Sequence, residues 1–133
     1  MTGRQDQMRE YLLSRARETL QEAEMMLGVA HLNAYVNRLY YACFYGASAL
    51  LAARGIRSKR HSHVQAALNR EFVKTGAVPR ELGSHYNRLF ESRLESEYGE
   101  FVRFERDDVA GWLEPTRAFV SHVERLLGEA PTL

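Results

Sequence analysis

Apolar side chains recur along this chain at steps of three and four, and nowhere in a sustained alternation of two, so the pattern predicts helices and no strand. Met8, Leu12, Ala16, Leu20, Ala23 and Leu27 mark a first helix, which Gly28 is suited to close. A second runs from about Asn33, a favourable N-cap, to Arg54, with Gly55 just beyond. It is apolar nearly all round, which predicts burial on several sides and a central position. A third, from about Ser62 to Lys74, turns Val64, Ala67, Leu68 and Phe72 inward before Gly76. The fourth starts near Pro79 and aligns Leu82, Tyr86, Leu89, Phe90 and Leu94 ahead of Gly99, with Arg93 on the same side. The fifth opens after Asp107 and Asp108 and presents Val109, Trp112, Thr116, Phe119, Val123 and Leu126. Pro115 inside it predicts a kink, because a helix-interior proline removes a backbone donor at a cost of about 3 kcal/mol.

These segments predict one all-α domain over residues 1–133, with its core at about 8–127. The arrangement expected is a five-helix, mostly antiparallel up-and-down bundle whose apolar stripes converge on the second helix. That helix carries more aromatic and aliphatic side chains than one small bundle covers, so a homodimer is expected.

Composition narrows the function classes. The 133 residues hold 18 Lys and Arg against 17 Asp and Glu, and this balance argues against a purely electrostatic nucleic-acid binder. The charges are nevertheless segregated: "RGIRSKRHSH", Arg54 to His63, contains no acid, whereas Glu91 to Asp108 is strongly acidic. The lone cysteine, Cys43, lies among apolar residues and reads as a buried hydrophobe. The opening residues lack a signal-peptide run, and the longest uncharged stretch, Leu39 to Ala53, is shorter than the ~20 residues that span a bilayer. A cytoplasmic protein that does not enter the membrane is expected. There is no phosphate-cradling glycine loop, paired-cysteine zinc spacing or "HExxH", and no Ser or Cys stands in a nucleophile motif, so neither a metal nor a cofactor is expected.

Polar residues in apolar places are the remaining candidates. Asn37, Tyr41 and Ser48 fall close to one stripe of the second helix, with Arg38 beside them. They form either a cleft or a set of mutually satisfied buried groups. Arg93 keeps its charge wherever it sits and must meet a carboxylate, a phosphate or water. Glu97, one turn later, is the structural partner, and a dimer axis bringing two copies of Arg93 together is the functional alternative. Arg57 and Lys59, with Arg60 and His61, precede the third helix and make a second anion candidate, unless that loop is only a solvated cationic surface.

Four motifs in order, "NRLYYACF" from Asn37, "KRHSHV" from Lys59, "FVKTG" from Phe72 and "RLESEY" from Arg93, resemble the small stand-alone HEPN proteins of prokaryotes. The resemblance implies a dimerising five-helix bundle. It also implies a toxin-antitoxin setting, since many HEPN proteins are metal-independent ribonucleases paired with a minimal nucleotidyltransferase. In some such pairs the nucleotidyltransferase attaches nucleotide to a tyrosine near the active motif. Nuclease members carry an arginine followed after four to six residues by a histidine. Arg93 matches that arginine, but Tyr98 stands where the histidine is expected. A phenol with an ordinary pKa of about 10 is a poor base near neutrality. The resemblance therefore implies RNA or nucleotide binding near a dimer axis, with Arg93 holding phosphate, His61 exchanging protons, and Tyr98 orienting substrate or accepting a nucleotide. Asn37, Arg38, Tyr41, Arg57, Lys59 and Glu97 are the supporting binding residues. The alternative is an inactive HEPN module that binds a nucleotidyltransferase or a small nucleotide.

Overall fold

The elements form where the apolar period is longest, and the computed structural model describes residues 3–98 and 102–128, apart from the side chains of Ser96, Glu97 and Tyr98. Helix α1 (Gly3–Gly28) leads through a three-residue turn into α2 (Leu32–Ala53). Next come α3 (His61–Leu68), continued by a π-helical turn (Asn69–Val73), and α4 (Arg80–Tyr98). The chain ends in α5 (Arg106–Val109), a 3-10 turn (Ala110–Trp112) and α6 (Leu113–Leu126), one rod broken near its start. No strand occurs among the described residues.

Helix α2 is the axis against which α1, α3, α4 and α6 pack. Tyr35, Val36, Leu39, Tyr40, Ala42, Cys43 and Ala47 on it are fully buried. A methyl added at Gly46 would come 3.4 Å from the Phe119 ring, so this position of α2 faces α6 closely. A salt bridge joins α1 to α6, with Arg17 Nε 2.6 Å from the nearly buried Glu124 carboxylate.

The chain departs from its pattern at four places. The turn after α1 uses Ala30, at φ +60°, as its left-handed residue, with the His31 amide bonded to the Met26 carbonyl. Gly28 stays inside the helix, so the reversal falls two residues later than its glycine suggested. Helix α2 is preceded by His31 rather than capped by Asn33, whose amide nitrogen instead reaches the Val102 carbonyl at 3.3 Å. The third helix widens into a π turn, and this seats Val73 against Gly83 of α4. The expected kink at Pro115 lies upstream of it: the Tyr35 hydroxyl donates to the Val109 and Ala110 carbonyls at 2.8 and 3.1 Å, and the 3-10 turn follows. Helix α6 then restarts at Leu113, so Pro115 occupies a first turn, where no backbone donor is needed.

Candidate functional site

The site begins with Tyr40, a fully buried phenol halfway along α2. Four residues later on the same face comes Phe44. His61, the first residue of α3, is brought onto both: its Nδ1 lies 2.7 Å from the Tyr40 hydroxyl, and its ring stacks on Phe44 at 4.4 Å between centroids. Tyr41 meets the same imidazole edge-on at 5.6 Å. From α4, Arg93 lays its guanidinium 4.9 Å from the Tyr40 ring centroid and 5.9 Å from that of Phe90. At 8% exposure Arg93 is buried, slightly less so than the apolar core. A desolvated arginine over aromatic faces gains about 2 kcal/mol from the ring quadrupoles, which helps to hold the charge away from water.

The electrostatics fix who can carry protons. Burial raises the Tyr40 pKa far above the ordinary phenol value, and the Arg93 charge offsets only part of that rise. Tyr86, stacked beside Tyr40 at 6.1 Å, is raised for the same reason. Both phenols are neutral near pH 7. A neutral hydroxyl both donates and accepts, so Tyr40 can donate to a bare Nδ1 of His61 or accept from a protonated one. Either arrangement fixes the imidazole and decides the state of its other nitrogen. Arg93 supplies a permanent positive charge on the same phenol.

The sequence candidates divide into separate groups. Arg93 and His61 meet through Tyr40, and Tyr41 joins them through His61. Asn37 and Arg38 turn toward each other and toward α1: Arg38 gives Nε and Nη2 to the Asn37 side-chain oxygen at 3.2 and 2.8 Å, and Nη1 to Glu22 at 3.0 Å. Arg38 also covers the Tyr41 ring at 5.3 Å, so it supports the aromatic cluster from behind. The stripe of Asn37, Tyr41 and Ser48 does not converge, because the Ser48 hydroxyl is buried separately without a hydrogen-bond partner. Arg57 and Lys59 line a groove beside His61. Glu97 and Tyr98 end α4, and their side chains lie outside the described residues.

Tyr40 was not singled out by sequence, although it is the residue on which the site is assembled. The one signal for it was its place in a "YY" pair four residues before Phe44. His85 was also missed; it is buried, and its Nε2 lies 2.8 Å from the Thr116 hydroxyl. Among the described residues, no group of three or more His, Cys, Asp or Glu is placed to hold a metal ion, and no helix is long and apolar enough to cross a membrane.

Comparison with known proteins supplies the family. A family model described as HEPN domain matches residues 9–126. A "UPF0332 protein" of Thermotoga maritima is 49% identical over 118 residues, covering 89% of each chain. The "Putative toxin MJ0142" of Methanocaldococcus jannaschii is 26% identical over 118 residues, covering 89% of this chain and 80% of that one. A "UPF0332 protein" of Gloeobacter violaceus is 32% identical over 88 residues, covering 66% of this chain and 70% of its own. With a family model spanning nearly all of its helical bundle, this chain belongs to the HEPN domain family.

Proposed function

We propose that the chain is a HEPN protein of toxin-antitoxin type that binds RNA at the Tyr40 site, near the axis of a homodimer, and cleaves it without metal. The observation carrying this reading is the convergence of Arg93 and His61, from two different helices, on one buried phenol. The toxin-named archaeal relative agrees with it. In the reaction proposed, a ribose 2′-oxygen attacks the adjacent phosphorus and the 5′-oxygen leaves, giving a 2′,3′-cyclic phosphate and a free 5′-hydroxyl. Arg93 holds the phosphate whose charge grows in the transition state. His61 takes the 2′-hydroxyl proton at Nε2 and returns it to the leaving oxygen, while Nδ1 keeps its proton and donates it to the Tyr40 hydroxyl throughout. Arg57 and Lys59 extend the anionic track.

A second reading has its own observation: Tyr98 occupies the place where nuclease members of the family carry a histidine. In it, the protein binds a nucleotidyltransferase partner or a small nucleotide without hydrolysis, and Tyr98 accepts a nucleotide. The two separate in one set of assays. Purified protein in excess chelator cleaves single-stranded RNA, and Arg93→Ala and His61→Ala each abolish cleavage. Equal cleavage by wild type and variants removes the Tyr40 site from the mechanism. No cleavage by wild type, with a mass increase of one nucleotide on Tyr98 after incubation with a nucleotidyltransferase and ATP, selects the second reading.

A further inference from the structure

A groove of about 640 Å³ runs past His61, walled by α1, α2 and the loop into α3. Met8, Leu12, Leu51, Ile56 and Val64 make it largely apolar, and Arg57 and Lys59 stand on its loop side. Both cations are exposed, and neither is engaged by a described acid.

Few other polar groups stand on the wall. Tyr45 accepts from Arg15 at 3.3 Å, Ser58 accepts from the Arg60 amide at 3.1 Å and His61 is held by Tyr40, whereas the buried Ser48 hydroxyl has no hydrogen-bond partner. An occupant therefore meets mostly hydrocarbon, a few hydroxyls, and two positive charges on the loop side that no described acid engages. A nucleobase would bring several edge donors and acceptors into this groove and leave most of them unpaired, each at a real desolvation cost. A hydrocarbon chain has none to lose, and a terminal carboxylate matches the cations. We propose that the groove binds an amphiphilic carboxylate, with its chain on the apolar wall and its head between Arg57 and Lys59.

The groove shares His61 with the Tyr40 site. Where the ribonuclease reading holds, occupancy takes two phosphate-binding cations away from RNA and inhibits cleavage. Binding itself does not depend on that reading, so the two fail separately.

Isothermal titration of the full chain with hexanoate, octanoate and decanoate tests the proposal directly. Affinity rises by about fourfold per added methylene, the increment expected for burying each CH₂. Decyltrimethylammonium, with the same chain and opposite charge, does not bind. Arg57→Ala with Lys59→Ala, two exposed loop changes that leave the core intact, weakens decanoate at least tenfold, whereas Arg93→Ala leaves it unchanged. Chain-length-independent binding, equal binding of the ammonium probe, or AMP binding more tightly than decanoate overturns the proposal. So does a sedimentation experiment in which Met8→Arg converts a dimer to monomer, because a second copy then fills the groove.

Discussion

His85 offers the sharpest quantitative test of the fold. Its Nε2 faces the Thr116 hydroxyl at 2.8 Å, and that hydroxyl donates in turn to the Trp112 carbonyl at 2.8 Å, so Nε2 carries the proton. Nδ1 is then bare, buried and without a partner. Protonating it would create a charge in the core, and burial first, with the Arg88 charge second, lowers the His85 pKa from 6.5 to about 4. The unfolded chain protonates near the ordinary value and the folded chain does not, so the unfolded state binds more protons across this window. Stability contributed by neutral His85 is therefore complete above about pH 6.5 and falls away toward pH 4, where the loss levels off. The full gap corresponds to about 3 kcal/mol, of which about 2 kcal/mol lies between pH 8 and pH 5. Urea unfolding of wild type and His85→Gln at those two pH values isolates it, since glutamine keeps a donor for Thr116 and has no proton to gain. The other four histidines cancel in the comparison. The wild type loses about 2 kcal/mol more than the variant on acidification. Equal losses refute the reasoning and mean that His85 is protonated in the folded chain.

Three further outcomes follow from the geometry. Tyr40→Phe keeps the ring beneath Arg93 but removes the bond to His61, costing about 1 kcal/mol of stability. Nitrogen-15 shifts of the imidazole move toward a mixture of tautomers, whereas Tyr41→Phe leaves them unchanged. Ala30→Gly relieves a left-handed alanine worth about 1–2 kcal/mol, less the entropy glycine adds to the unfolded chain, and raises the melting temperature by about 2–4 °C in calorimetry. Gly83→Ala places a methyl 2.8 Å from a Val73 methyl. It destabilises by about 1–3 kcal/mol despite the better helix former, and adding Val73→Ala recovers most of the loss in a double-mutant cycle.

The bundle was legible because its signals are local: one helical period repeated along the chain, with turn residues between segments. What escaped prediction depends on residues far away in sequence. Pro115 suggested a kink, but the break is set by Tyr35, whose hydroxyl takes two carbonyls more than 70 residues on. Gly28 looked like the cap of α1, yet the reversal falls at Ala30, because the turn geometry joining α1 to α2 outweighs the modest cost of one left-handed alanine. Tyr40 has no distinguishing mark in a helix that is apolar on nearly every side. Its role appears only when α3 delivers an imidazole 21 residues later and α4 brings a guanidinium above its ring.

That arrangement changes what the tyrosine at position 98 implies. Read along α4 alone, an arginine without its histidine suggests that proton-transfer chemistry has been lost. In three dimensions Arg93 shares a phenol with an imidazole from another helix, so a fixed charge and an imidazole are coupled within one chain. Under the proposed ribonuclease reading, the histidine function has moved from α4 to α3, and Tyr98 is free for another role. The coupling also constrains mutagenesis. Arg93→Ala removes a cation and uncovers two aromatic faces together, so a loss of activity by itself does not separate phosphate binding from packing. Arg93→Lys retains charge without the planar stacking surface, and Tyr40→Phe retains the surface without the proton link. Activity surviving the first but lost in the second assigns the site to proton transfer through His61; the reverse assigns it to the guanidinium.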